Sequence, residues 1–294
     1  MLVEQVPIKA TLPIKPPVAN VPAGVVERSA RWLAEHAGCA RDVAFHHIAS
    51  VLGPEAAAHM GDALAPLAAW LNRKEPWVSR MAGEIEVLRP ELAYDPDGVA
   101  ALMASWWRHN NRTFLEYSVL RDLTKPHRLE LRGFDEAFAA LEPDRPIVAA
   151  GVHLGAFDLI GPFWVERLQR RWPLFGVYEP QPNQCRNLIA ARLRRRNGFV
   201  CLPSGSGTAR LVVKLVAEGR QSVGFMLDEN LGDRVGFPLF GRPRPARSNL
   251  TRAIRLAQRH GAAVLPISCI RYQNAQLRAD FGAPIFAGDF ARNE

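Results

Sequence analysis

From Pro146 onward the chain alternates two textures, and this alternation restricts its fold more than any other feature. Short apolar runs, PIVAAGV, LFGVY, FVCLP, SVGFML and AAVLPISCI, are separated by amphipathic stretches such as NLIAARLRRRNG, GTARLVVKLVAEG and SNLTRAIRLAQRHG. Strands that alternate with helices in this way predict an α/β fold, a mixed and largely parallel sheet covered by helices on both faces. The punctuation agrees. Gly219 and Gly261 stand where helix C-terminal caps belong, and Ser248 stands at an N-cap position.

Upstream the pattern is different. Between Val25 and about Lys125 apolar residues recur at helical spacing, as in VVERSARWLAEHAG and GVAALMASWWRHNNRTFLEYSVL, with turns at GPE and YDPDG. The expected organisation is a Pro-rich arm over 1–24, a helical region over 25–130 packed on the core, and an α/β core over 131–294. A chain of 294 residues that is 48% hydrophobic and 22% charged can bury a sizeable core. Nothing in it approaches the apolar length of a membrane span, and the arm, broken by an early acid and several prolines, is not a signal peptide. Membrane contact is therefore expected to be peripheral. The four cysteines, Cys39, Cys185, Cys201 and Cys269, form no C-x-x-C pair and are expected to be reduced, buried thiols.

Ligand sites in open α/β sheets gather where strands run into loops at their carboxyl ends. His153, Asp158 and Asp228 all fall at such places. In GVHLGAFDLIG, a His153 in the turn and an Asp158 in the first turns of the helix after it can meet. The carboxylate would then fix the imidazole tautomer and leave the other ring nitrogen to act as a general base. The alternative is a histidine before a helix with an unrelated acid beyond it. No nucleophile elbow accompanies the pair: Gly205-Ser206-Gly207 lacks the G-x-S-x-G spacing, and no Lys-Ser/Thr follows to make a phosphate loop. His46 and His47 are adjacent rather than at metal-ligand spacing, so no metal site is expected. A base without a protein nucleophile must activate a hydroxyl or water of the substrate, and attack on a thioester fits because a thiolate leaves readily.

NNRTFLEY and LRGFDEAFAAL precede GVHLGAFDLIG, while LVAEGRQSVGFMLDENLGDRVGFPLFGRP and LAQRHGAAVLPISCIR follow it, together covering roughly 105–285. These blocks, in this order, resemble the lysophospholipid acyltransferase-like superfamily, and within it the branch of lipid A biosynthesis (lauroyl/myristoyl) and phosphatidylinositol mannoside acyltransferases. The resemblance implies a glycerolipid acyltransferase-like sheet and transfer of an acyl group from acyl-carrier protein or acyl-coenzyme A to a hydroxyl of a membrane glycolipid such as a lipid A precursor. It implies no cofactor and no metal. His153 would be the base and Asp158 its partner. Arg192, Arg194, Arg195 and Arg196, at an R-x-x-x-G signature, would bind substrate together with Asp228 and Arg271. A capping role for Asp228 and a solvated basic helix face for the arginines are the structural alternatives.

A formal net charge of +8 suits an anionic lipid surface or an acidic carrier protein, and the place implied is the inner face of the cytoplasmic membrane. The charge also suits nucleic acid, but no recognised binding motif is present and none is expected as a partner. The neighbouring readings are a soluble transferase acting from an acyl carrier on another lipid or metabolite, and a non-catalytic lipid-binding protein.

Overall fold

A computed structural model describes residues 25–180, 183–219, 221–228, 230–231, 234–235, 248–272 and 275–290. The Pro-rich arm, 1–24, lies outside the described residues. So does most of the VGFPLFGRP segment, of which only Val235 is described.

The helical region comprises α1 (Val25–Leu52), α2 (Pro54–Asn72), α3 (Pro76–Leu88), α4 (Pro96–Glu116) and the short α5 (Leu120–Leu123). Three of these begin on proline, whose missing N–H is among the donors a first helical turn leaves unused. Asp95 caps α4 by accepting from the Gly98 N–H at 2.9 Å. α2 lies close along α4 because Gly61 has no side chain: a Cβ there would stand 2.7 Å from the Arg112 backbone. Asp62 accepts from Arg112 Nε at 2.6 Å beside this crossing.

The α/β region runs β1 (Leu129–Arg132), α6 (Phe134–Ala139), β2 (Ile147–Gly151), α7 (Ile160–Arg167), β3 (Leu174–Tyr178), α8 (Gln184–Arg196), β4 (Val200–Pro203), α9 (Ser206–Ala217) and β5 (Ser222–Met226). A two-stranded ribbon, β6 (Asn230–Leu231) and β7 (Arg234–Val235), precedes α10 (Asn249–His260), β8 (Ala263–Arg271), β9 (Leu277–Phe281) and α11 (Ala287–Phe290). The seven-stranded sheet has the order β1-β9-β8-β2-β5-β3-β4. β8, β2, β5, β3 and β4 are mutually parallel, whereas β9 pairs antiparallel with β8 and carries β1 parallel to itself.

The apolar runs are buried for the reason their composition suggests. All five residues of β2 are buried, and they alternate between two cores. Ile147 and Ala149 pack with Leu115, Leu123, Leu159 and Trp164 on one face. Val148 and Ala150 pack with Val212, Val216, Ala253 and Leu256 of α9 and α10 on the other. Ser248 caps α10 by accepting from the Thr251 N–H at 3.1 Å, and Gly261 ends it with φ of 67°.

One pair of strands goes beyond the apolar runs, and one expectation needs correction. The sheet includes β1 and β9, which the apolar-run pattern does not announce. In LELR the alternate residues Glu130 and Arg132 are exposed, as befits a strand paired on one side only. Nor are the cysteines four free thiols. Cys39 of α1 and Cys185 of α8 are joined in a disulfide, while Cys201 and Cys269 are free. The two partners are 146 residues apart in the chain and meet only because α1 packs against the start of α8.

Candidate active site

β2 and β5 are neighbours, with Gly151 paired to Met226. Leu227 N–H donates to Gly151 O at 2.8 Å, carrying the ladder one step beyond the strands. One further step brings His153 opposite Asp228. The His153 backbone N–H donates to Asp228 Oδ2 at 2.9 Å, and Nδ1 meets Asp228 Oδ1 at 2.8 Å. The histidine is the central residue of a three-residue turn closed by Leu154 N–H to Val152 O at 2.7 Å. This turn projects the ring outward from the sheet edge.

An ionised carboxylate only accepts, so Nδ1 carries a proton, and in the neutral ring the lone pair is on Nε2. Burial pushes the Asp228 carboxyl upward, but the hydrogen bond and charge of His153, with two backbone donors, outweigh it and hold the pKa below the ordinary carboxylate value. The His153 side chain is 46% exposed and Asp228 22%, so the imidazole is open to a substrate while its carboxylate partner is largely screened.

Asp158 does not meet His153. It sits in the single turn Phe157–Leu159 that leads into α7, pinned between buried Ala156 and Leu159. The intervening Phe157 takes the place beside the imidazole, edge-on, with ring centroids 4.5 Å apart. Asp158 instead faces Arg194, whose Nη2 approaches its Oδ1 at 3.3 Å and donates to the Tyr117 hydroxyl at 2.7 Å. The guanidinium lies between the Tyr117 and Tyr178 rings, 5.7 and 5.2 Å from their centroids. Burial, reinforced by the Asp158 charge, keeps the Tyr117 phenol protonated well above its usual range.

The other candidates divide sharply. Of the four candidate arginines on α8 only Arg194 turns inward; Arg192, Arg195 and Arg196 are exposed. The side chain of Arg271, the last residue of β8, is buried and held within the fold. Its Nη2 donates to Glu116 Oε2 at 2.6 Å and to Thr113 Oγ1 at 2.9 Å. Glu116, Thr113 and Tyr117, all near the end of α4, were not singled out by motif. Their only signal is their place in NNRTFLEY.

Neither free thiol is activated as a nucleophile. Burial raises Cys201 to about 11 and Cys269 to about 12, so both stay protonated near neutral pH. Among the described residues no group of three His, Cys, Asp or Glu side chains is arranged to hold a metal ion. No helix among them is long and apolar enough to cross a membrane.

His46 of α1 belongs to a separate buried seam. Its Nδ1 is 2.6 Å from Ser118 Oγ, while Nε2 is buried without a hydrogen-bond partner. Burial lowers its pKa to about 4, Arg186 adds to the effect and Asp42 opposes it.

The family model of the bacterial lipid A biosynthesis acyltransferases matches residues 101–286, from within α4 to the strand region after β9. No individual curated protein matches the chain.

Proposed function

Since this chain belongs to the bacterial lipid A biosynthesis acyltransferase family, we propose that it moves a fatty acyl group from acyl-carrier protein or acyl-coenzyme A to a hydroxyl of a lipid A precursor. The observation that carries this reading is the His153–Asp228 pair at the carboxyl edge of the parallel strands, with Nδ1 held and Nε2 presented. Nε2 takes the proton of the acceptor hydroxyl as its oxygen attacks the thioester carbonyl. The tetrahedral intermediate collapses with cleavage of the C–S bond, and the imidazolium returns its proton to the departing thiolate. Asp228 holds the tautomer and stabilises the transient cation.

The scheme needs only the two substrates. Asp158 and Arg194 act beside it as a built wall, with Arg194 available to attract phosphate or thioester oxygen at the cost of its present partner. The exposed Arg192, Arg195 and Arg196 and the net charge of +8 support peripheral attachment to an anionic bilayer on the cytoplasmic face, and also the approach of an acidic carrier.

The test is transfer of radiolabelled acyl groups from each donor to a lipid extract containing lipid A precursors, with His153→Ala as control. Labelled glycolipid that depends on His153 supports the reading. Transfer that persists unchanged in the variant removes His153 from the chemistry.

A further inference from the structure

The loop that carries His153 is held from two sides. Below it lies the end of β8. Gly155 adopts φ of 55°, and a Cβ there would stand 2.5 Å from Cys269 O and 3.2 Å from the Arg271 backbone nitrogen. Above it lies α4, whose Thr113 Oγ1 is 3.1 Å from Gly155 O and 3.0 Å from His109 O.

Thr113 has one hydroxyl proton and two carbonyls within reach. His109 O, one turn earlier on α4, already accepts the Thr113 backbone N–H in the helix ladder, so the hydroxyl proton gains more at Gly155 O. Arg271 Nη2 occupies the Thr113 oxygen as acceptor at 2.9 Å, which turns the proton away from the guanidinium and toward the loop. Glu116 in turn fixes Arg271 through Nη2 at 2.6 Å and Nε at 3.1 and 3.2 Å. The Arg271 and Glu116 side chains are only 2% and 1% exposed. The relay therefore runs from a buried ion pair, through one hydroxyl, to a backbone carbonyl two residues from His153.

We propose that Thr113, set by the Glu116–Arg271 pair, is a positioning residue that fixes the His153 loop against β8. The proposal rests on the reading of His153 as the base. It assigns to α4 a part in the geometry of the site that charge or hydrophobicity alone would not give it. A loop free to shift by an ångström would still bind both substrates but would present Nε2 out of line.

Two measurements separate the latch from the chemistry. Thr113→Val keeps the shape and removes the hydroxyl; Thr113→Ser restores it; Glu116→Gln keeps the shape behind Arg271 and removes the charge. Amide hydrogen exchange across 152–157, followed by mass spectrometry, should quicken about tenfold in Thr113→Val with β3 unchanged, and in Glu116→Gln, which also strands the buried Arg271 charge, by more across 152–157 than across β3. In the same variants kcat should fall about tenfold or more at nearly constant KM, and Thr113→Ser should regain both. Unchanged exchange in the loop overturns the latch. Faster exchange with unchanged kcat overturns its role in positioning. If instead His153→Ala retains activity, the reading of His153 as the base fails while the exchange result still reports on the latch.

Discussion

His153 and Asp228 are 75 residues apart in the chain, yet they occupy equivalent positions two residues beyond the paired strand ends Gly151 and Met226. Their contact follows from strand order. Whatever brings β2 beside β5 in parallel register also brings the imidazole to its carboxylate, through a backbone hydrogen bond to Oδ2 and a side-chain hydrogen bond to Oδ1.

Replacing the base should remove most of the transfer. His153→Ala is expected to lower kcat by about 10²- to 10⁴-fold, and Asp228→Asn, which can present its amide N–H₂ to Nδ1 and favour the wrong tautomer, by a similar order. Steady-state kinetics with saturating donor and acceptor check both. An Asp228→Asn enzyme with wild-type kcat would show that orientation of the ring does not depend on this carboxylate.

Asp158→Asn should behave differently. With side chains 14% and 18% exposed, Asp158 and Arg194 form a largely buried ion pair. Losing one charge strands the other at a cost of about 3–5 kcal/mol. The expected result is a clear drop in the urea midpoint, whereas Asp228→Asn should unfold closer to wild type because its partner is half exposed. Paired denaturation curves decide it.

The pH dependence of stability should carry the mark of His46. Its folded pKa of about 4 lies below the ordinary 6.5, so between these values the unfolded chain binds a proton that the folded chain refuses. Stability from this group is complete above pH 6.5 and falls as the pH drops toward 4. At about 1.4 kcal/mol per unit the loss reaches about 3 kcal/mol. His46→Gln should flatten that slope in urea titrations taken at pH 7 and at about pH 4.5, near the lower end of that window.

Without reductant, alkylation of the unfolded protein should label Cys201 and Cys269 and spare Cys39 and Cys185; with reductant all four should react. Opening a loop of 146 residues should destabilise the fold by up to about 5 kcal/mol on chain entropy alone. Comparison of the Tm of wild type and Cys39→Ser, with and without reductant, measures it. If reduction leaves the wild-type Tm unchanged, the crosslink contributes nothing to stability.

What could be read from the chain was whatever depends on near neighbours. The apolar runs marked β2, β3, β4, β5 and β8 because strands covered on both faces need no polar alternation. The Ser248 and Gly261 caps are local chemistry, and the strand-end positions of His153 and Asp228 follow from where each run stops. The partner of His153 did not follow. The family resemblance implied Asp158, five residues on, but the backbone turns Phe157 toward the imidazole, and only strand order reveals Asp228. Helical period alone could not select Arg194 from its neighbours on α8, because the choice depends on which face meets Tyr117 and Asp158. Glu116 is the clearest miss: a glutamate near a helix end reads as solvated, and nothing local announces the buried arginine that meets it 155 residues later.

The Cys39–Cys185 link also bears on the order of events during synthesis. Cys185 is made 146 residues after Cys39, so a nascent chain holding only the helical region has no partner to offer. By the time the bond can close, α1 to α7 and the first three strands have all been translated. Whatever oxidant acts on the pair therefore meets a chain in which the whole helical region and the first three strands are already made.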